Sequence, residues 1–174
     1  MIIDSDIFNK AIQYKIDYTT HIKLQKIALQ HLGLTNINHI RDRFEGQAYY
    51  DNFLVKAYSE VAMQRIFYNQ VFKIENKIKK SYSPSFEFKG KKLFIINSKL
   101  TDYPLIPKLN FDIAVVIFVN VNSRETYIIG WMNYNEIVAE SDKAGISPLS
   151  DKHYHGYFTK LDLLKDINTL FNTN

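Results

Sequence analysis

His153 and His155 stand two residues apart in a segment that reads as a strand, so both imidazoles would project from one face, as paired metal ligands can. The chain has no cysteine and no acidic cluster beside the pair, so two histidines on an exposed face are the simpler reading. His21, His31 and His39 lack the HExxH spacing of a zinc hydrolase. The six glycines form neither GxGxxG nor GxxxxGK[ST], and no GxSxG elbow occurs. The missing cysteines also remove disulfides and a thiolate nucleophile, and fit a reducing compartment. What charge chemistry remains is basic. Lys73, Lys77, Lys79, Lys80, Lys89, Lys91 and Lys92 crowd one stretch of a chain with net charge +4 and pI near 9.0. Of these, Lys77, Lys79, Lys80, Lys89, Lys91 and Lys92 form a candidate patch for nucleic acid or an acidic partner, with a solvated turn as the other reading. Tyr49, Tyr50, Tyr58, Phe67, Tyr68 and Phe72 offer rings for base stacking, but at helical spacing such rings serve more often in a core or a subunit interface.

The elements that would position these residues follow from periodicity. At 174 residues, 46% apolar and 23% charged, the chain has the size and composition of one ordered domain, 1–174, with no linker or repeat to divide it. Ile7, Ala11, Tyr14 and Tyr18 step at helical intervals, as do Ile22 to Leu32, where Gly33 supplies a stop. A long amphipathic helix is predicted from about Gly46 to Phe72. The period then changes to two. Ser85 to Phe88 and Lys92 to Asn97 predict a hairpin turning at Lys89-Gly90. Asp112 to Val121 reads as a strand buried on both faces, with Asp112 capping or hydrogen-bonding at its start. Thr126 to Met132 returns as its neighbour, with Trp131 packed against the sheet. Tyr134 to Glu140 predicts a short helix and Ser141 to Asp151 a loop. A strand at His153 to Phe158 follows, then a helix capped by Thr159 that carries Leu161, Leu164, Ile167 and Leu170. The expected fold class is α/β (α+β): a central mixed β-sheet flanked by helices, with 1–43 as an N-terminal helical extension on a 44–174 core.

The order of these elements and several phrases resemble the PD-(D/E)xK, restriction-endonuclease-like nuclease superfamily. AYSEVAMQRIFY is similar to its first core helix, with Glu60 at a position that often faces the metal. FEFKGKKLFIINSKL is similar to its central hairpin. FDIAVVIFVN with YIIGWMNYNEI resembles the next strand pair and helix of small phage and restriction-type members, and HYHGYFTKLDLL their closing strand and the start of the last helix. The resemblance covers roughly 44–170. It implies a centre in which an Asp, a following Asp or Glu and a Lys two residues later hold Mg²⁺ and position water. This chain departs from that pattern. In one alignment Pro84-Ser85 and Asn97-Ser98-Lys99 stand for the motif, and only Lys99 survives. In the other, Gly90-Lys91-Lys92 keeps the turn in register, and Phe94 and Ile96 replace the acid and the lysine. Ser85, Phe94, Ile96 and Asn97 are therefore the degenerate positions. The rescue alternative is an unusual centre of Glu60, Glu87, Asn97 and Lys99.

The resemblance so modified implies a catalytically inactive nuclease-fold module acting as a protein-assembly or binding component, similar to small phage and mobile-element proteins, with a phage structural or assembly protein as the leading specific expectation. An active restriction-type endonuclease and a DNA-binding pseudo-nuclease are the rivals. No cofactor is expected, Mg²⁺ entering only with the active alternative. The expected partners are other protein subunits in an oligomer or larger assembly, with DNA a further candidate. The N-terminal MIIDSDIFNK has acids where a signal peptide needs a basic stretch. The longest apolar run, Ile113 to Val119, falls well short of the roughly 20 residues a bilayer takes. The expected location is the cytoplasm, or a virus particle assembled there.

Overall fold

A computed structural model describes residues 5–40, 44–67, 85–107, 110–140, 142–143, 156–158 and 160–171. The helices are α1 (Ser5–Asn9), α2 (Tyr18–His31), α3 (Phe44–Ile66), α4 (Tyr134–Glu140) and α5 (Ile167–Phe171). The strands are β1 (Ile12–Lys15), β2 (Ser85–Phe88), β3 (Lys91–Lys99), β4 (Leu105–Pro107), β5 (Ile113–Asn120), β6 (Glu125–Asn133), β7 (Asp142–Lys143) and β8 (Gly156–Phe158). They form a five-stranded mixed sheet in the order β1-β6-β5-β3-β2 and a three-stranded sheet in the order β4-β8-β7. The chain is thus of mixed α+β class. It divides into two compact units, 1–12 with 85–118 and 127–174, and 13–84 with 119–126.

The first unit is organised by alternation along its strands. On β5 every residue from Ile113 to Val119 is buried, as a continuous apolar run requires of a strand covered on both faces. Ala114, Val116 and Phe118 enter a cluster with Ile96, Ile106 and Ile129, against which Phe8 of α1 packs edge-on to Phe118 at 5.6 Å. Gly130 on β6 is required by a close approach. A Cβ there would lie 2.4 Å from the Lys165 carbonyl oxygen and 3.0 Å from Leu164 Cβ. That approach lets Trp131 and Lys165 exchange two backbone hydrogen bonds, of 3.0 and 2.9 Å. The Trp131 indole N–H donates to the Asp166 carbonyl and to Thr169 Oγ1, while the Lys165 ammonium lies over the indole ring.

This bridge overturns the expectation of one closing helix through Leu161, Leu164, Ile167 and Leu170. The segment is a 3-10 turn at Leu161–Leu163, then extended backbone at Leu164, then α5. Pairing with Trp131 takes the backbone groups that a helix would have used. Thr159, His153 and His155 lie outside the described residues. Two further strands were not expected. β4 pairs with β8, and β7, inside the predicted 141–151 loop, pairs with β8 from the other side.

In the second unit α2 packs on α3. Asp17 caps α2: its Oδ1 accepts the Thr20 N–H at 2.8 Å and its Oδ2 accepts the Thr20 hydroxyl at 2.7 Å. Gly33, at φ 67°, closes α2 with Gly33 N–H to Gln30 O and Leu34 N–H to Leu29 O, the paired bonds of a left-handed C-terminal stop. α3 is less amphipathic than its spacing suggested. From Phe53 to Met63 every residue but Lys56 is buried, including Ser59, whose hydroxyl donates to the Val55 carbonyl. The N-terminal segment is also not purely helical. The steps Ile7, Ala11, Tyr14 and Tyr18 run through α1, then β1, then the first residue of α2, because 12–15 joins the five-stranded sheet beside β6. Among the described residues no helix is long and apolar enough to cross a membrane.

Candidate functional site

The β2–β3 hairpin fixes where Ser85, Phe94, Ile96 and Asn97 lie. Lys89 (φ 49°) and Gly90 (φ 73°) are both left-handed, the conformation of a two-residue turn whose twist suits a hairpin. The turn fixes the register: Phe88 pairs with Lys91, Glu87 with Lys92 and Ser85 with Phe94. Directly paired residues share a face and neighbours along a strand alternate. Glu87, Lys92, Phe94 and Ile96 therefore lie on one face, and Leu93, Ile95, Asn97 and Lys99 on the other.

Phe94 and Ile96, which replace an acid and a lysine in the second alignment, are both packed. The Phe94 ring stacks on Phe111 at 5.3 Å. Ile96 is 3% exposed, in the cluster with Ile106, Ala114 and Val116. Ser98, next on that face, is buried and donates its hydroxyl to the Asp102 carbonyl at 2.8 Å.

Of the rescue alternative, the hairpin carries Glu87, Asn97 and Lys99, and it does not bring all three to one face. Asn97 and Lys99 share a face, but Glu87 is on the opposite one and exposed. Among the described residues, Asn97 Nδ2 makes a long 3.4 Å bond to its own strand, at the Ile95 carbonyl. Glu60 belongs to the second unit, is 2% exposed, and accepts from Gln64 Nε2 at 3.0 Å. Among the described residues no group of three or more His, Asp or Glu is placed to hold a metal ion. Lys89, Lys91 and Lys92 are exposed at the hairpin turn, Lys89 with its ammonium 5.3 Å from the Phe88 ring centre, whereas Lys77, Lys79 and Lys80 lie outside the described residues.

A cleft of about 430 Å³ opens in the first unit beside this packing, lined by Lys91, Phe111, Asp112, Asn133, Tyr134, Asn135 and Glu136. Asp112 builds one wall. Its Oδ2 accepts the Lys92 N–H at 2.7 Å, its N–H donates to the Lys92 carbonyl, and its carbonyl accepts the Tyr134 N–H. The aspartate thereby ties the starts of β5 and α4 to β3, the structural role expected of it. Phe111 lies between the Phe94 ring and Tyr134, which meets it edge-on at 5.0 Å. Desolvation, aided by Tyr157 as electrostatic and hydrogen-bond neighbour, raises the Tyr134 phenol above its usual range. Glu136 is held below the ordinary carboxylate range, first by its bond to Lys165 and next by the Asn133 N–H. Its Oε1 takes the Lys165 ammonium at 2.5 Å and its Oε2 the Asn133 N–H at 3.0 Å.

Both acids of the cleft are thus occupied in holding backbone and neighbouring side chains. The Lys91 ammonium and the Asn133 and Asn135 carboxamides are the groups suited to a ligand. The arrangement can hold a polar group by hydrogen bonds over an aromatic floor. No known protein family, curated protein or solved structure matches the chain.

Proposed function

We propose that the chain is a catalytically inactive module of PD-(D/E)xK type, in which the sheet is kept as a scaffold and function has moved to the surface as protein assembly or binding. A phage structural or assembly component is the specific assignment we favour. The observation that supports this reading is the packing of Phe94 and Ile96. Mg²⁺ dehydrates reluctantly and needs anionic oxygens, and a stacked phenyl ring and a buried sec-butyl group offer none. A Mg²⁺- or Mn²⁺-dependent plasmid-nicking assay tests it, with Glu60→Ala and Lys99→Ala as controls. No nicking by the wild type is expected. Nicking that both substitutions abolish would overturn the reading. A non-cleaving grip on duplex DNA is the second reading, favoured by the exposed Lys89, Lys91 and Lys92 at one turn. Duplex binding that falls steeply with salt, without a defined oligomer, would put it first.

A further inference from the structure

The second unit carries a cluster that none of the foregoing uses. Tyr18, the first residue of α2, is 66% exposed, the most exposed large hydrophobic side chain among the described residues. The Arg124 guanidinium lies over its ring at 5.6 Å, and the His21 ring is tilted beside it at 6.3 Å. Arg124 takes this place from an unusual backbone. It ends the turn between β5 and β6 at φ 61°, a left-handed conformation that glycine or asparagine adopts at less cost. The Asn120 carboxamide oxygen braces the turn by accepting the Asn122 and Ser123 N–H groups. The Arg124 carbonyl accepts the Ile16 N–H at 2.8 Å, which anchors the turn beside the start of α2.

His21 is equally well oriented. Its Nδ1 lies 2.5 Å from the hydroxyl of Tyr58, a fully buried residue. Burial raises the phenol well above its usual range, so it keeps its proton. Burial, and then Arg124, lower the imidazole below its usual value, so near neutral pH it is uncharged. A protonated phenol that donates to Nδ1 leaves the imidazole's own proton on Nε2. Nε2–H is then a fixed donor beside a guanidinium and an exposed ring. The nearby acid, Asp17, is engaged by Thr20 as the cap of α2, and Arg65 bears on it as a second cation.

We propose that Tyr18, His21 and Arg124 form a binding site for a nucleotide, either free or within a single strand. The base stacks on the exposed Tyr18 ring, and phosphate oxygens accept hydrogen bonds from the Arg124 guanidinium and His21 Nε2–H. An aromatic platform beside a guanidinium fork is the chemistry such ligands need, since every base presents a π-face and every phosphate accepts paired N–H donors. The site lies in a different unit from the hairpin and does not rest on the scaffold reading.

The test is fluorescence anisotropy of the full chain with a labelled oligothymidylate, with calorimetric titration of thymidine monophosphate as the second arm. Tyr18→Ala and Arg124→Gly should each weaken binding about tenfold or more, the range expected for removing one base–aromatic stack. Circular dichroism melts should be undiminished, because Tyr18 is exposed and glycine suits the left-handed turn. Tyr18→Trp, which keeps the platform, should bind at least as well as the wild type. Loss in both arms identifies the free nucleotide as sufficient, and loss with the oligomer alone identifies the strand; either supports the site. Absence of wild-type binding in both arms would overturn it. So would binding that survives Tyr18→Ala and Arg124→Gly but is lost when Lys89, Lys91 and Lys92 are changed to Gln.

Discussion

Ile96→Lys would put an ammonium where the second alignment expects a lysine, and the structure says what that should cost. Ile96 is 3% exposed in an apolar cluster, with Ile106, Ala114 and Val116 in the same cluster. Removing a buried aliphatic side chain costs about 1.5–3 kcal/mol, part of which the lysine stem recovers. The larger cost is the charge. A fully buried amine is driven neutral, and bringing a lysine of solution pKa about 10.4 to the neutral form at pH 7 costs ~4.6 kcal/mol, at about 1.36 per unit. The sum, roughly 5–7 kcal/mol, is comparable to the whole stability of many domains, about 5–15 kcal/mol. The pH dependence is diagnostic. The unfolded chain would bind a proton that the folded chain excludes, so the deficit relative to wild type should shrink as pH rises, until the solution pKa is passed. Between pH 7 and 9.5 about 3 kcal/mol should return. Urea melts of both proteins at several pH values measure this. A deficit near 1 kcal/mol at pH 7, or one that does not change with pH, would show that position 96 opens to water. The scaffold reading would then lose its main support.

Other substitutions test neighbouring parts of the argument. Gly130→Ala places a methyl 2.4 Å from the Lys165 carbonyl, so the Trp131–Lys165 pairing must open; two lost backbone bonds, at about 0.5–1.5 kcal/mol each, plus strain predict a loss of roughly 2–3 kcal/mol in urea denaturation. Asp17→Ala removes the cap of α2 and should cost about 0.5–2 kcal/mol in thermal denaturation near neutral pH. The Asp17 carboxyl is held below its usual value, first by the Thr20 N–H and then by the Thr20 hydroxyl. Its contribution is therefore complete above the unfolded-state pKa and fades as pH falls through the lower folded value, so wild type and variant should converge in acid.

The hairpin was legible because Lys89-Gly90 separates two alternating runs, and a two-residue turn then fixes all the pairing that follows. Once Phe88 stands opposite Lys91, Glu87 must share a face with Lys92 and Phe94, and counting by twos puts Asn97 and Lys99 on the other. The separation of Glu87 from Asn97 and Lys99 is therefore contained in the sequence. β5 was legible from an apolar run that no half-exposed element tolerates, and α2's end from Gly33. β1 was not, because Ile12–Lys15 is only four residues long and its partner strand lies more than a hundred residues away. Nothing local distinguishes Tyr14 on a strand from Tyr14 on a helix face. The break before α5 was hidden for the same reason: Leu161, Leu164, Ile167 and Leu170 keep helical spacing, and only the contact of Lys165 with Trp131 interrupts them. The cleft joins position 91, positions 111–112 and positions 133–136, three segments that periodicity cannot relate. The proximity of Arg124 to Tyr18 and His21 is likewise a product of topology.

Among the described residues, the strand order leaves β1 and β2 outermost in the five-stranded sheet, and each has four residues. A strand of that length turns only about two residues' N–H and C=O groups outward, too few for an added strand to grip by backbone bonds alone. Among the described residues, these two edges are thus poor templates for an added strand, and neither invites a second copy to extend the sheet.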